Sequence, residues 1–208
     1  MSSRDKYLAI GLIVLIFLGI GVFLLSDDSY VSIYVNGTDT LVKSFSINVF
    51  NNNSAMNQEI FQFIKVDVND VNSNVDTIRS NITEIAHSYG YKDVTVKIES
   101  QFGENQLPMM TSVVGRSMLP KIHDGEKIIV LKTKDINVGD VVVAKDDEFG
   151  LLIKRVGEIK GNNVFLISDN VKETRMENGV LTTFVGVRKW THLSNIVGIA
   201  KIYNVQIN

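Results

Sequence analysis

A mainly β domain, preceded by one transmembrane helix and a small α+β module, is the fold class this sequence predicts. Three observations predict it: an unbroken apolar run near the N-terminus, a middle stretch that mixes period-two with helical spacing, and a later stretch of short apolar segments divided by glycine turns.

The apolar run is Leu8 to Leu25, with no charged or strongly polar side chain. About 20 apolar residues span a bilayer's hydrocarbon core, so the run predicts an uncleaved transmembrane anchor. A cleaved signal peptide would have a shorter apolar core and small residues at its end, whereas this run exits through Ser26-Asp27-Asp28. Arg4 and Lys6 precede the run. The expectation is a single-pass cell-membrane protein with a cytoplasmic N-terminus and the bulk of the chain extracytoplasmic. Three Asn-x-Ser/Thr triplets, beginning at Asn36, Asn52 and Asn81, agree weakly with that orientation.

From Ser29 to about Gly103 the chain is rich in Asn, Ser and Asp. Tyr30–Val35 and Ser44–Phe50 alternate apolar and polar residues as half-buried strands do, with a turn signal at Asn36-Gly37. Val71, Val75, Ile78, Ile82 and Ile85 form one helical stripe, which Gly90 can end in a left-handed conformation. Val94, Val96 and Ile98 alternate in a further strand.

From about Leu107 the strand candidates are Lys127–Leu131, Asp140–Ala144, Leu151–Val156, Asn163–Ile167, Leu181–Val187 and Ile196–Val205. Asp124-Gly125, Gly139-Asp140, Gly161-Asn162 and Asn178-Gly179 supply turns between them. Close spacing without a helical pattern predicts a coiled, partly barrel-like all-β domain. The predicted organisation is residues 1–28 as cytoplasmic tip and anchor, 29–105 as accessory module and 106–208 as the all-β domain.

The chain has no cysteine, which excludes disulfides, thiolate metal sites and a cysteine nucleophile. Its net charge of −2 points away from nucleic acid as a partner. No His/Asp/Glu cluster has metal-ligand spacing, so neither metal nor cofactor is expected.

Chemistry concentrates around Gly115-Arg116-Ser117-Met118-Leu119-Pro120. A serine hydroxyl needs a fixed turn and a base to become a nucleophile. Gly115 permits the turn, and backbone N–H groups such as that of Ser117 can form an oxyanion hole. Downstream, in order, stand Gly139-Asp140-Val141-Val142, Lys154-Arg155-Val156, Ser168-Asp169-Asn170 and Ile196-Val197-Gly198.

This order resembles the type I signal peptidases, over roughly Val113 to Ile202. The resemblance implies a signal-peptidase-like coiled β fold, with Ser117 as nucleophile, Lys154 as general base and Asp169 in support. It also implies a membrane-bound endopeptidase that removes signal peptides from preproteins, with membrane lipid and the protein translocation machinery as further partners. Ser168 stands where that family's box has glycine. In the strand Leu151–Val156, Lys154 shares a face with Leu152 and Val156, which can desolvate it and lower its pKa. Met109, Met110 and Met118 are expected to face substrate or membrane beside the serine. His87, His123 and His192 are read as structural or surface residues. Two alternatives are a self-cleaving repressor-type Ser–Lys peptidase and a non-catalytic, membrane-anchored binding module.

Overall fold

The computed structural model describes residues 28–46 and 53–206. Within them the chain first forms β1 (Asp28–Val35) and β2 (Thr40–Ser46), an antiparallel hairpin. Its turn is held by Asn36, whose Oδ1 accepts from the N–H groups of Thr38 and Asp39 at 3.0 and 2.7 Å. Two helices follow, α1 (Asn53–Asp67) and α2 (Val75–Ser88), and then β3 (Asp93–Ser100), which pairs parallel to β1. The two-residue strand β4 (Gly103–Glu104) completes a sheet of order β2-β1-β3-β4.

Helical spacing explains how this sheet is covered. Met56, Ile60 and Ile64 of α1 and Ile78, Ile82 and Ala86 of α2 recur every four residues and are buried. They meet Val31, Ile33 and Val35 of β1 and Val96 and Ile98 of β3 in one cluster. Each of these Val, Ile and Met side chains taken from water stabilises the fold by about 1.5–3 kcal/mol. The stripe's first member, Val71, lies outside α2. Asn74 caps the helix, accepting from Asp76 and Thr77 N–H while the Thr77 hydroxyl accepts from Asn74 N–H, so the helix starts at Val75. At the other end Gly90 has φ +88°. Its N–H bonds His87 O and that of Tyr91 bonds Ala86 O, a Schellman ending.

The second sheet is antiparallel, in the order β12-β9-β8-β7-β13-β6-β5. Its strands are β5 (Pro108–Ser112), β6 (Lys127–Lys132), β7 (Val141–Asp146), β8 (Gly150–Lys160), β9 (Asn163–Ile167), β12 (Arg188–His192) and β13 (Ile196–Ile202). A separate hairpin, β10 (Lys172–Glu177) with β11 (Val180–Val185), leaves Met176, Leu181 and Val185 exposed. The central strand β7 is buried on both faces: Val141 and Val143 enter one apolar cluster, Val142 and Ala144 another.

The loop between α1 and α2 joins the two sheets. Asn69 Oδ1 accepts from Met110 N–H at 2.9 Å, and Lys132 Nζ donates to Ser73 Oγ at 2.6 Å and to the Asp70 carbonyl. Lys145 Nζ reaches Asn72 Oδ1 at 3.0 Å.

Among the described residues no helix is long and apolar enough to cross a membrane. At ~1.5 Å per residue, α1 and α2 reach only about 20–23 Å, and both are polar on one side. The described residues thus give no support to the expected transmembrane helix or to the cell-membrane placement that depends on it. Its run, Leu8–Leu25, lies outside the described residues, as do residues 47–50 of the expected strand Ser44–Phe50.

Candidate active site

After β5 the chain makes a pinned turn. Val113 is tied to the Asp124–Glu126 segment by two backbone bonds, from its own N–H to Glu126 O at 2.8 Å and from Gly125 N–H at 2.9 Å. Gly115, at φ +89°, donates its N–H to Asp124 Oδ1 at 2.8 Å, a conformation that suits a residue without Cβ. The next turn closes with Leu119 N–H on Arg116 O at 3.2 Å, and the N–H groups of Lys121 and Ile122 bond Met118 O. Met118 and Ile122 are buried, so the turn is nailed from below while half-buried Ser117 stays on its upper side.

Strand β8 brings up the partner. Alternation buries Leu152, Lys154 and Val156 on one face. Lys154 is only 3% exposed, and its Nζ donates to Ser117 Oγ at 2.8 Å and to Ile153 O at 2.9 Å. Burial pushes its pKa down from the ordinary 10.5 to about 8. Among the described residues no carboxylate offsets this, and desolvation disfavours the ammonium. The pair lines a cleft of about 290 Å³ together with Thr111–Val114, Val143, Phe149 and Leu151–Ile153.

Asp169 does not touch this pair. It grips Arg155, with Nε to Oδ1 at 2.7 Å and Nη2 to Oδ2 at 2.6 Å, while Arg155 Nη1 donates to Gly139 O at 2.6 Å. Asp169 thus holds the residue that follows the lysine. Met109 and Met118 are each 1% exposed and sit in the core under the turn, so the expectation that they face substrate or membrane is corrected. The turn folds back over Met118, and β5 buries Met109 together with its neighbour Pro108. Met110 is half-buried.

The three histidines are engaged elsewhere. His87 contacts Lys92 O, His123 faces Glu126, and His192 caps the 3-10 turn Leu193–Asn195. Among the described residues no group of three or more His, Cys, Asp or Glu side chains could hold a metal ion.

Comparison with known proteins bears on this arrangement. The sequence model of the Peptidase S24-like family matches residues 77–182. The chain belongs to the Peptidase S24-like family. The LexA repressor of Geobacillus kaustophilus (strain HTA426) is 27% identical over 163 residues, covering 78% of this chain and 70% of that protein. The order of boxes that resembles type I signal peptidases is thus carried by a member of the S24-like Ser–Lys peptidases. Membership in the signal peptidases themselves is not shown.

One part of the site escapes the sequence reading, the environment of Asn170. Its backbone N–H donates to Ser117 O at 2.9 Å and its side-chain Nδ2 to Arg116 O at 3.1 Å. The only sequence signal is its place beside Asp169.

Proposed function

We propose that this chain is a serine endopeptidase that works by acyl transfer, with Ser117 as nucleophile and Lys154 as general base. The observation that carries the reading is the 2.8 Å contact between Lys154 Nζ and Ser117 Oγ, made by a lysine that is 3% exposed. At a pKa of about 8, roughly a tenth of Lys154 is neutral at pH 7, against roughly one part in 3,000 for an ordinary lysine. Neutral Nζ takes the Ser117 proton as Oγ attacks the scissile carbonyl carbon. The resulting oxyanion needs a donor, and the Ser117 N–H is free of protein acceptors among the described residues. The Lys154 ammonium then protonates the leaving amine. Water, deprotonated by the regenerated base, releases the acyl group from Ser117.

The substrate enters the cleft as an extended segment between Thr111–Val114 and Phe149–Ile153. Likeness to a repressor favours the self-processing form of the reaction over removal of signal peptides. Here the substrate is a peptide bond of this chain or of a second copy.

The test is incubation of the purified chain between pH 7 and 10, alone and with a preprotein, followed by intact-mass analysis. Fragments from wild type, and none from Ser117→Ala or Lys154→Ala, are the expected result. Cleavage of the preprotein with no self-cleavage would overturn the self-processing form. Equal fragmentation of all three proteins would overturn the Ser–Lys assignment.

A further inference from the structure

We infer that Asn170 is a positioning residue that aims the Ser117 N–H at the oxyanion. The inference rests on the Ser117 reading above and concerns the same site.

A trans peptide is planar, and its C=O and N–H point in opposite directions. Among the described residues the cis bond is Leu119-Pro120, so the Arg116–Ser117 peptide is trans. Whatever holds the Arg116 carbonyl therefore fixes the direction of the Ser117 N–H. Asn170 Nδ2 holds that carbonyl at 3.1 Å together with the Leu119 N–H at 3.2 Å, and the Ser117 N–H points the other way. In the same manner Asn170 N–H on Ser117 O, at 2.9 Å, holds the next peptide plane. Asn170 thus bonds both planes that flank the nucleophile.

The Asn170 amide cannot turn over. Its Nδ2 also donates to Glu173 Oε2 at 2.9 Å, and both neighbours, a carbonyl and a carboxylate, are pure acceptors. A flipped amide would put its oxygen against both. Glu173 in turn binds Arg116 Nη2 through Oε1 at 2.6 Å, closing a ring of contacts that begins and ends on Arg116. From behind, Gly186 packs so near that a Cβ there would lie 2.4 Å from Asn170 O. The segment carrying Asn170 is therefore fixed on both sides before any substrate arrives. Such preorganisation is what an oxyanion site requires.

The experiment compares two probes. A peptidyl boronate ending in alanine forms a tetrahedral adduct on the nucleophile and places an oxygen in the oxyanion site. The same peptide as a carboxamide, bound to Ser117→Ala protein, reports binding without the adduct. The expected result for Asn170→Ala is a loss of about 10–100-fold in boronate affinity, short of the full effect of deleting a donor, with carboxamide binding within about twofold of its parent. Asn170→Asp keeps the size of the side chain but supplies no donor to Arg116 O, and is expected to lose boronate affinity as Asn170→Ala does. Both variants are measured at a temperature where circular dichroism shows them folded, which separates positioning from folding. Equal boronate affinity in wild type and Asn170→Ala overturns the role of Asn170 and leaves Ser117 standing. No adduct on Ser117 in the wild type overturns both.

Discussion

Arg155 and Asp169 meet fork to fork, Nε on Oδ1 at 2.7 Å and Nη2 on Oδ2 at 2.6 Å. On β8 this arginine follows Lys154 and points to the opposite face, so the pair fastens the lysine's strand without adding charge beside the ammonium. The side-chain hydrogen bonds to Asp169, with that carboxylate's charge behind them, hold the Arg155 pKa above its ordinary value. A carboxylate placed instead beside Lys154 would raise that lysine's pKa and spoil it as a base.

Asp169→Asn should therefore weaken the fold more than it alters the base. Both side chains are partly exposed, so the loss is about 1–3 kcal/mol, as for a hydrogen bond to a charged group. A double-mutant cycle with Arg155→Gln, read by urea denaturation, should give a coupling energy of at least about 0.5 kcal/mol. Coupling near zero would remove the clamp from the account.

The lysine predicts two pH dependences. Activity requires neutral Lys154, so kcat/KM should rise with pH and level off above about 8. For stability the sign follows from proton counts. Between about 8 and 10.5 the unfolded lysine holds a proton that the folded one has lost, so stability increases with pH across that window. Lys132, lowered to about 8 by burial, adds a second proton to the same slope. Lys154→Met should abolish activity and remove only its own share of the slope. A flat rate profile from pH 6 to 9 would reject Lys154 as the base.

Lys132 also predicts how the two sheets stay joined. Its ammonium serves Ser73 Oγ, Ser73 O and the Asp70 carbonyl. In Lys132→Ala these acceptors lose a charged donor, at a cost of about 1.5–3 kcal/mol. Amide exchange in residues 69–74 should quicken more than in the core of β7. Uniform acceleration over the whole chain would instead indicate one cooperative unit.

How much of this was legible in the sequence depends on periodicity. Lys154 is legible because Leu152 and Val156 share its buried face. Helix α2 is legible from Ile78 and Ile82, though its start is set by the Asn74 cap and not by the stripe. Helix α1 was missed because Asn, Ser and Gln surround Met56, Ile60 and Ile64, whose spacing alone carries the signal. Strand β10 escaped because it carries no alternation of burial, and β11 is exposed throughout. Met118 misleads for a local reason: beside a reactive serine it suggests surface, yet the turn closes over it through Lys121 and Ile122. Asn170 acts through the backbone on a turn distant in sequence, and no spacing rule reaches that far.

Gly186 gives the sharpest test of the packing behind the turn. A Cβ at this position would stand 2.4 Å from Asn170 O and 2.8 Å from Ser168 Cβ. Both are backbone or backbone-proximal atoms, so the methyl of Gly186→Ala cannot be relieved by a rotamer change. Forcing extra volume into a packed site costs about 1–3 kcal/mol. The displaced atoms belong to the segment that holds Arg116 O and Ser117 O, so activity should fall further than the stability loss explains. Gly161→Ala is the control, since its Cβ would meet nothing within 4 Å; its φ of +54° still strains the turn. The measurement is kcat at a temperature where every variant is folded by circular dichroism. A drop in kcat for Gly186→Ala beyond that of Gly161→Ala is the expected outcome. Equal values would mean that the nucleophile turn keeps its geometry without support from Gly186.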